Sequence, residues 1–251
     1  MSNPAPHATA PRVTVIAPMK NEAGNVARLA DEIGAALAPF APFEAIFVDD
    51  GSTDGTAEAV RAAQALYPWL RLVRHDASCG QSAAILSGVR AARAPICVTL
   101  DGDGQNPPDQ IPALLAPLLA DRAGRLGLVA GQRAARQDRL SRRLASRAAN
   151  GLRRRLLRDD TRDTGCGLKA FPREVFLALP FFDHIHRYLP ALVRREGFEV
   201  ALVEVAHRAR DAGRSNYTNL GRARVGALDL LGVWWLMRRR KRPVLLPEEE
   251  G

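Results

Sequence analysis

No stretch of this chain is both long and apolar enough to cross a bilayer. The longest, residues 225–237, is broken by Asp229 and falls short of the roughly 20 residues that a spanning helix needs. Residues 1–12 carry Pro and Ala but no apolar core of the kind a secretory leader has, so they read as a loose tail. Cysteine is scarce: Cys79, Cys97 and Cys166 show no CxxC spacing and form no even framework. That argues against a disulfide scaffold and fits reduced thiols in the cytosol. No GxGxxG follows the first apolar run and no GxxxxGK[ST] occurs, which argues against a Rossmann dehydrogenase and a P-loop NTPase. Internal repeats are also missing. Acidic residues are the minority, 27 against 36 Lys and Arg, for a formal charge of +9. Such an excess implies an anionic partner: nucleic acid, a membrane surface or a phosphorylated substrate.

What is present is ordinary for a globular protein, 47% apolar and 25% charged over 251 residues, enough for one large domain or two small ones. Short apolar, β-rich runs alternate with helical patterns. Residues 13–17 read as a first buried strand, ended by Pro18, and Val26, Leu29, Ala30, Ile33 and Leu37 recur at helical spacing. Strands follow at 43–48, 70–73, 96–100 and 126–130, with helices at about 57–66, 80–92 and 111–119. This alternation predicts an α/β fold with a mainly parallel sheet. Between Arg133 and Arg158 lie ten arginines and one acid, Asp138, with an apolar residue every fourth position, which predicts a cationic amphipathic helix. Residues 165–171 read as a loop and short strand, 187–195 as a helix, 198–205 as a strand. Residues 208–215 read as a polar loop before a last helix.

Polar, glycine-broken loops follow three of the strands and carry Glu22, Asp49/Asp50 and Asp101/Asp103. In a parallel sheet these would line one rim, the carboxyl edge where open α/β sheets place their ligands. Asp101 and Asp103, one residue apart in extended chain, can face the same way, and Gly102 and Gly104 let the backbone bend. Two hard oxygen donors there suit Mg²⁺ or Mn²⁺; a plain polar turn is the alternative reading. His184 and His186 lack a third and fourth ligand for zinc at sensible spacing. Cys166 between two glycines reads as a packed turn rather than a nucleophile, because no base is implied.

These residues resemble a known family. The runs 16–22 (IAPMKNE), 48–56 (VDDGSTDGT) and 101–108 (DGDGQNPP) are similar to the markers of family 2 glycosyltransferases with the GT-A fold. Residues 163–167 (DTGCG), 186–190 (HRYLP) and 213–217 (GRSNY) are similar to its polyprenyl-phosphate branch, the dolichol-phosphate mannose synthase-like enzymes. The resemblance runs in order from about Val13 to Tyr217. It implies an inverting transfer of a sugar from a nucleotide-diphosphate sugar to a polyprenyl phosphate, dependent on Mg²⁺ or Mn²⁺. Carried over by position, Pro18, Glu22 and Asp50 surround the donor nucleotide, with Asp50 on the base, and Lys20 and Val48 belong to the same binding set. Asp101 and Gly102 face the donor, while Asp103 and Gln105 hold the metal. Arg133 and Arg214 lie near the phosphates. His186 with Arg187 reads, from the residues themselves, as an acceptor-phosphate contact or a structural one. Asp101, Asp103 and Arg214 are the catalytic set it implies. Asn216 stands where the family usually has Lys, with Arg210 or Arg222 as candidate replacements. Gly102 and Gly104 stand where Ala and Leu are more typical, a difference expected to matter little. The chemistry agrees independently: a phosphate monoester is already anionic near neutral pH and needs no general base.

The expected organisation is a flexible tail at 1–11, a GT-A catalytic domain at 12–216, an amphipathic basic helix at 217–242 and an acidic tail at 243–251. Leu228, Leu231, Trp235 and Leu236 can share one helical face beside Arg238, Arg239, Arg240, Lys241 and Arg242. That predicts a peripheral protein on the cytoplasmic face of the cell membrane, held by anionic lipid, with packing of the helix on the protein or in an oligomer as the alternative. Two further readings compete: the same fold acting on a saccharide or protein, and a non-catalytic basic protein binding nucleic acid. The second lacks zinc-finger or RRM signatures, so nucleic acid is not the expected partner.

Overall fold

The computed structural model describes residues 10–133, 151, 153, 155–157, 159, 161–208 and 219–241, with side chains in the last span from Val225 onward. Among these, the first half of the chain alternates strand and helix: β1 (Val13–Met19), α1 (Val26–Leu37), β2 (Phe43–Asp50), α2 (Thr56–Gln64), β3 (Leu70–His75), α3 (Gln81–Ala91), β4 (Ile96–Thr99), α4 (Ile111–Ala120) and β5 (Leu126–Arg133). Then come β6 (Lys169–Pro172), α5 (Arg173–Leu177), α6 (Leu189–Arg195), β7 (Glu199–Val205) and α7 (Asn219–Arg238). The cationic helix expected after Arg133 falls largely outside the described residues.

The strands form one sheet in the order β3-β2-β1-β4-β6-β5-β7. Every pairing is parallel except those of β6, which runs antiparallel to β4 and to β5. Side chains alternate across a strand, and β1 divides its residues accordingly. Val13, Val15, Ala17 and Met19 join α1 and α4 residues such as Leu29, Ile33 and Leu114 in one core. Ile16, with Ile46 and Val48 of β2, joins Ala84 and Val89 of α3 and Leu192 of α6 on the other face. A sheet buried on both faces explains why the strands read as continuous apolar runs rather than alternating ones.

β1 extends beyond its expected end at Pro18, pairing Pro18 with Val48 and Met19 with Asp49. The physical reason is one-sided. Ile16 uses its carbonyl toward β4, accepting from the Leu100 N–H at 3.2 Å, so Pro18, two residues on, also faces the β4 side. β4 pairs no further than Thr99 with Ile16, and the missing proline N–H therefore leaves no ladder bond unmade.

Candidate active site

Because β1, β2, β4 and β5 are parallel, their carboxyl ends share one edge, and the loops leaving them are tied together there. The Lys20 ammonium donates to the Asp50 and Gly51 carbonyls at 3.1 and 2.5 Å, closing the end of β1 onto that of β2. Asn21, at φ 56, accepts from the Thr53 N–H at 2.9 Å, while its own N–H reaches Ser52 Oγ at 3.0 Å. Glu22 N–H donates to Thr56 Oγ1 at 3.0 Å and Ala23 N–H to Asp54 at 3.1 Å.

Asp50 organises the next loop. Its carboxylate meets His75 Nδ1 at 2.8 Å and accepts from the Cys79 N–H at 2.8 Å, the Ser78 hydroxyl at 2.7 Å and the Gly80 N–H at 2.9 Å. Burial alone would raise its pKa, but these donors outweigh burial and hold it below the usual carboxylate value. His75 Nε2 in turn meets Ser87 Oγ at 2.9 Å. Asp50, His75 and Cys79 offer ligand atoms within 4.8 Å of one another, yet the Asp50 oxygens are already engaged by the loop.

Asp101 and Asp103 leave the end of β4. The Asp101 oxygens accept from Gln81 Nε2 and Asn106 Nδ2, both at 2.8 Å, and Asp103 Oδ1 accepts from the Gln105 N–H at 3.1 Å. Burial pushes the Asp101 carboxyl up, and the Asp103 charge pushes it further; Lys169 and the two amide donors act the other way. The glycines here are not interchangeable with larger residues. A Cβ on Gly102 would stand 2.5 Å from the Pro18 carbonyl oxygen and 2.4 Å from Met19 Sδ, and one on Gly104, at φ +73, 2.2 Å from Arg28 Nη2. At Gly102 the loop lies directly on the end of β1.

The segment leading into β6 reaches the same edge. Gln132 Oε1 accepts from the Arg162 and Asp163 N–H groups, each at 3.0 Å, and Asp163 holds Arg133 in a two-pronged ion pair through Nε and Nη2. Arg133 thus enters the wall already neutralised by a carboxylate. Cys166 is fully buried and burial raises its thiol pKa, in keeping with a packed turn. On the third side a short turn, Ile185–Arg187, presents His186 and Arg187. His186 Nδ1 meets Ser82 Oγ of α3 at 2.7 Å, and burial, followed by the charges of Lys169, Arg187 and His184, pushes its pKa down to about 3. Arg187 is exposed and has no ion-pair partner among the described residues. His184 turns away to Asp229 of α7 at 2.9 Å, so the two histidines do not converge on a metal.

These walls enclose a cavity of about 760 Å³. Pro18, Lys20, Glu22, Asp50, Asp101, Gly102, Asp103, Gln105, Arg133, His186 and Arg187 all line it. Val48 does not: its side chain is fully buried in the core, against the α3 face. Val48 shares a face with Asp50 but lies two residues deeper along β2, in the packing rather than at the rim. Arg214 and Asn216, with Arg210 and Arg222, lie outside the residues whose side chains are described. Ser78, Gly80, Gln81, Arg162, Asp163, Thr164 and Gly165 also line the cavity. Of these, 163–165 sit in a motif visible in the sequence, whereas Gln81 and Ser78 carry no sequence signal of their own.

Residues 14–179 match the sequence profile of glycosyl transferase family 2. The chain belongs to that family. Among family 2 relatives, the dodecaprenyl-phosphate galacturonate synthase of Rhizobium johnstonii is 33% identical over 238 residues, covering 92% of this chain and 69% of that protein. The undecaprenyl-phosphate 4-deoxy-4-formamido-L-arabinose transferase of Pectobacterium carotovorum is 33% identical over 210 residues, covering 83% of this chain but only 63% of its relative. Solved structures share the GT-A fold. Mannosyl-3-phosphoglycerate synthase from Rubrobacter xylanophilus superposes with a TM-score of 0.68 at 17% identity, over 95% of this chain and 78% of that one. A mannosyltransferase from Pyrobaculum calidifontis, in complex with GDP-Man and Mn²⁺, gives 0.65 at 24% identity, over 95% and 68%.

Proposed function

We propose that this family 2 glycosyltransferase moves a sugar from a nucleoside-diphosphate sugar to a polyprenyl phosphate, with inversion at the anomeric carbon. The observation that carries the reading is one cavity of about 760 Å³ lined both by Asp101, Asp103 and Gln105 and by the cations Lys20 and Arg187. Asp103 and Gln105 offer hard oxygen donors, a set that fits Mg²⁺ or Mn²⁺. When bound, such an ion supplies charge that neutralises the departing nucleoside diphosphate. The neighbour with GDP-Man and Mn²⁺ supports the same donor chemistry.

The protein's own groups do the rest. Asp50 has no spare oxygen for a donor base, so it serves through the Ser78–Gly80 backbone it holds, with Ser78 and Gly80 in the cavity wall. Asp101, fixed by Gln81 and Asn106, bounds the floor against which the sugar lies. Arg187, with Arg214, supplies cationic charge for the acceptor phosphate. Among the described residues His186 is the one histidine lining the cavity; with its pKa near 3 and Nδ1 committed to Ser82, it donates or accepts a hydrogen bond but takes up no proton near neutral pH. A site without such a base suits an acceptor that arrives ionised, as a phosphate monoester does, rather than a sugar hydroxyl. The names of the relatives, which concern dodecaprenyl and undecaprenyl phosphates, support this acceptor class.

A polyprenyl acceptor resides in a bilayer, and α7 offers the surface to meet it. Its buried side packs Val233, with Leu230, Trp234, Leu236 and Met237, on the core. Val225, Leu228, Leu231 and Trp235 remain exposed, Leu228 at 70%, next to Arg238 and Arg239. Leu236 belongs to the packed side rather than the outer stripe expected from sequence. Among the described residues no helix is long and apolar enough to cross a membrane. We place the protein peripherally on the cytoplasmic face, where nucleotide sugars are available, with the basic charge directed to anionic lipid rather than nucleic acid.

The decisive experiment supplies a panel of nucleotide sugars and a polyprenyl phosphate with Mn²⁺ or Mg²⁺, using the wild type and Asp103→Asn. The wild type forms a glycosyl phospholipid and the variant, still folded, loses transfer by about 10³-fold. Transfer to free saccharides alone, or undiminished turnover by Asp103→Asn in a chelator, overturns the reading.

A further inference from the structure

Lys169 is a buried charge for which the mechanism above has no use. It opens β6, is 3% exposed, and donates to the carbonyls of Thr164 at 3.4 Å and Cys166 at shorter range. Among the described residues no carboxylate is in ion-pair contact with it. An ammonium withdrawn from water in this way is expensive unless an opposite charge answers it. The candidate is Asp101, which among the described residues likewise has no cation in ion-pair contact, only the amides of Gln81 and Asn106. Lys169 and Asp101 line the same void, of about 10 Å³, too small for more than one water molecule.

A second link is mechanical. The turn whose carbonyls Lys169 holds continues into Gly167, and the Asp101 carboxylate rests on that residue: a Cβ there would stand 2.5 Å from Asp101 Cγ and both its oxygens. The Gly167 carbonyl is itself fixed by the Thr99 hydroxyl at 2.8 Å. We infer that Lys169 is a positioning residue for Asp101, balancing its charge from beneath the cavity floor and clamping residues 164–167 against it. Burial lowers the Lys169 pKa, and the neighbouring Cys166, Asp101 and Asp163 oppose that shift. The benefit to transfer rests on the donor-site reading above. The coupling between the two charges does not, and it is measurable without turnover.

The test is a double-mutant cycle on the full chain, reading the unfolding equilibrium in urea for Lys169→Met, Asp101→Asn and the pair. In the wild-type background Lys169→Met leaves a carboxylate unanswered; in the Asp101→Asn background it does not. The factor by which Lys169→Met lowers the folding constant is therefore expected to be about tenfold smaller in the Asp101→Asn background. Equal factors in both backgrounds overturn the inference and reduce Lys169 to a backbone clamp. If Lys169→Met alone does not fold, the double variant is expected to restore folded protein. A double variant that also fails to fold refutes the charge coupling. Loss of transfer activity in every variant bears on the proposed reaction and not on this cycle.

Discussion

Gly167→Ala separates the position of one carboxylate from the stability of the fold. The added methyl would sit 2.5 Å from Asp101 Cγ, Oδ1 and Oδ2, where ordinary contact begins near 3.4 Å, so about 1 Å must be found. Neither partner retreats freely. On one side the Asp101 oxygens hold bonds of 2.8 Å to Gln81 and Asn106. On the other, Gly167 is held through Thr99, and the next residue's carbonyl accepts from the Gly131 N–H at 2.9 Å. Overpacking of this kind costs about 1–3 kcal/mol. Swinging the carboxylate away would break two bonds to a charged group, each worth about 1.5–3 kcal/mol before solvent compensates. The cheaper response mixes both, leaving Asp101 displaced by several tenths of an ångström. A displacement approaching 1 Å lowers turnover by about 10²-fold. The control is Gly127→Ala at the opposite end of β5, where the Cβ would stand 2.6 Å from Phe198 Cβ and 2.7 Å from Val193 Cγ1. It should destabilise at least as much while leaving kcat per folded molecule within about threefold of wild type. Transfer and thermal melting are measured together for both variants. If Gly167→Ala keeps wild-type kcat/KM in its folded fraction, Asp101 is not positioned by this contact and the floor of the site has been misjudged.

His186 gives a pH signature. Its folded pKa, near 3, lies below the usual value of 6.5, so the unfolded chain binds the extra proton between these limits; its contribution is complete above pH 6.5 and lost as pH falls toward 3. Wild-type stability is expected to fall more steeply from pH 6.5 to 5 than that of His186→Asn, by up to about 1.4 kcal/mol per pH unit. Equal slopes would mean that His186 is not held neutral. The outer stripe of α7 gives a second expectation: the protein sediments with anionic liposomes at low salt. Added salt, Gln at 238–242, or Ser at Leu228, Leu231 and Trp235 each weakens this, at about 1 kcal/mol per basic residue lost. Protein left in the supernatant at low salt assigns the stripe to another partner.

What the sequence made legible were features carried by local pattern. The apolar runs of β1, β2, β4 and β5 are legible because a strand buried on both faces is made mostly of apolar residues. The acids beyond them are legible because they follow directly in the chain. Contacts that depend on which element lands beside which were not. Ser82 and His186 are 104 residues apart and Lys20 and Gly51 31 apart, and nothing in either neighbourhood announces the partner. The close approach at Gly102 and Gly104 was not legible either, because it comes from Pro18, Met19 and Arg28, supplied by other elements. Lys169 read as one polar residue in a short strand, since its depth appears only when β6 is seen between β4 and β5.

That placement of β6 also explains how residues 162–165 come to line the cavity. A purely parallel sheet would bring only the loops that follow its strands to the carboxyl edge, here those of β1, β2, β3, β4 and β5. β6 runs the other way, so it is the segment preceding it, residues 161–168, that reaches the same edge. Asp163 thereby meets Arg133 at the end of β5, and Gly167 meets Asp101 at the end of β4. β7, parallel again to β5, returns to that edge, where the Arg208 N–H donates to the Gln105 carbonyl at 2.9 Å. One reversed strand of four residues thus brings Arg162, Asp163, Thr164 and Gly165 into the same cavity lining as the acids of the rim.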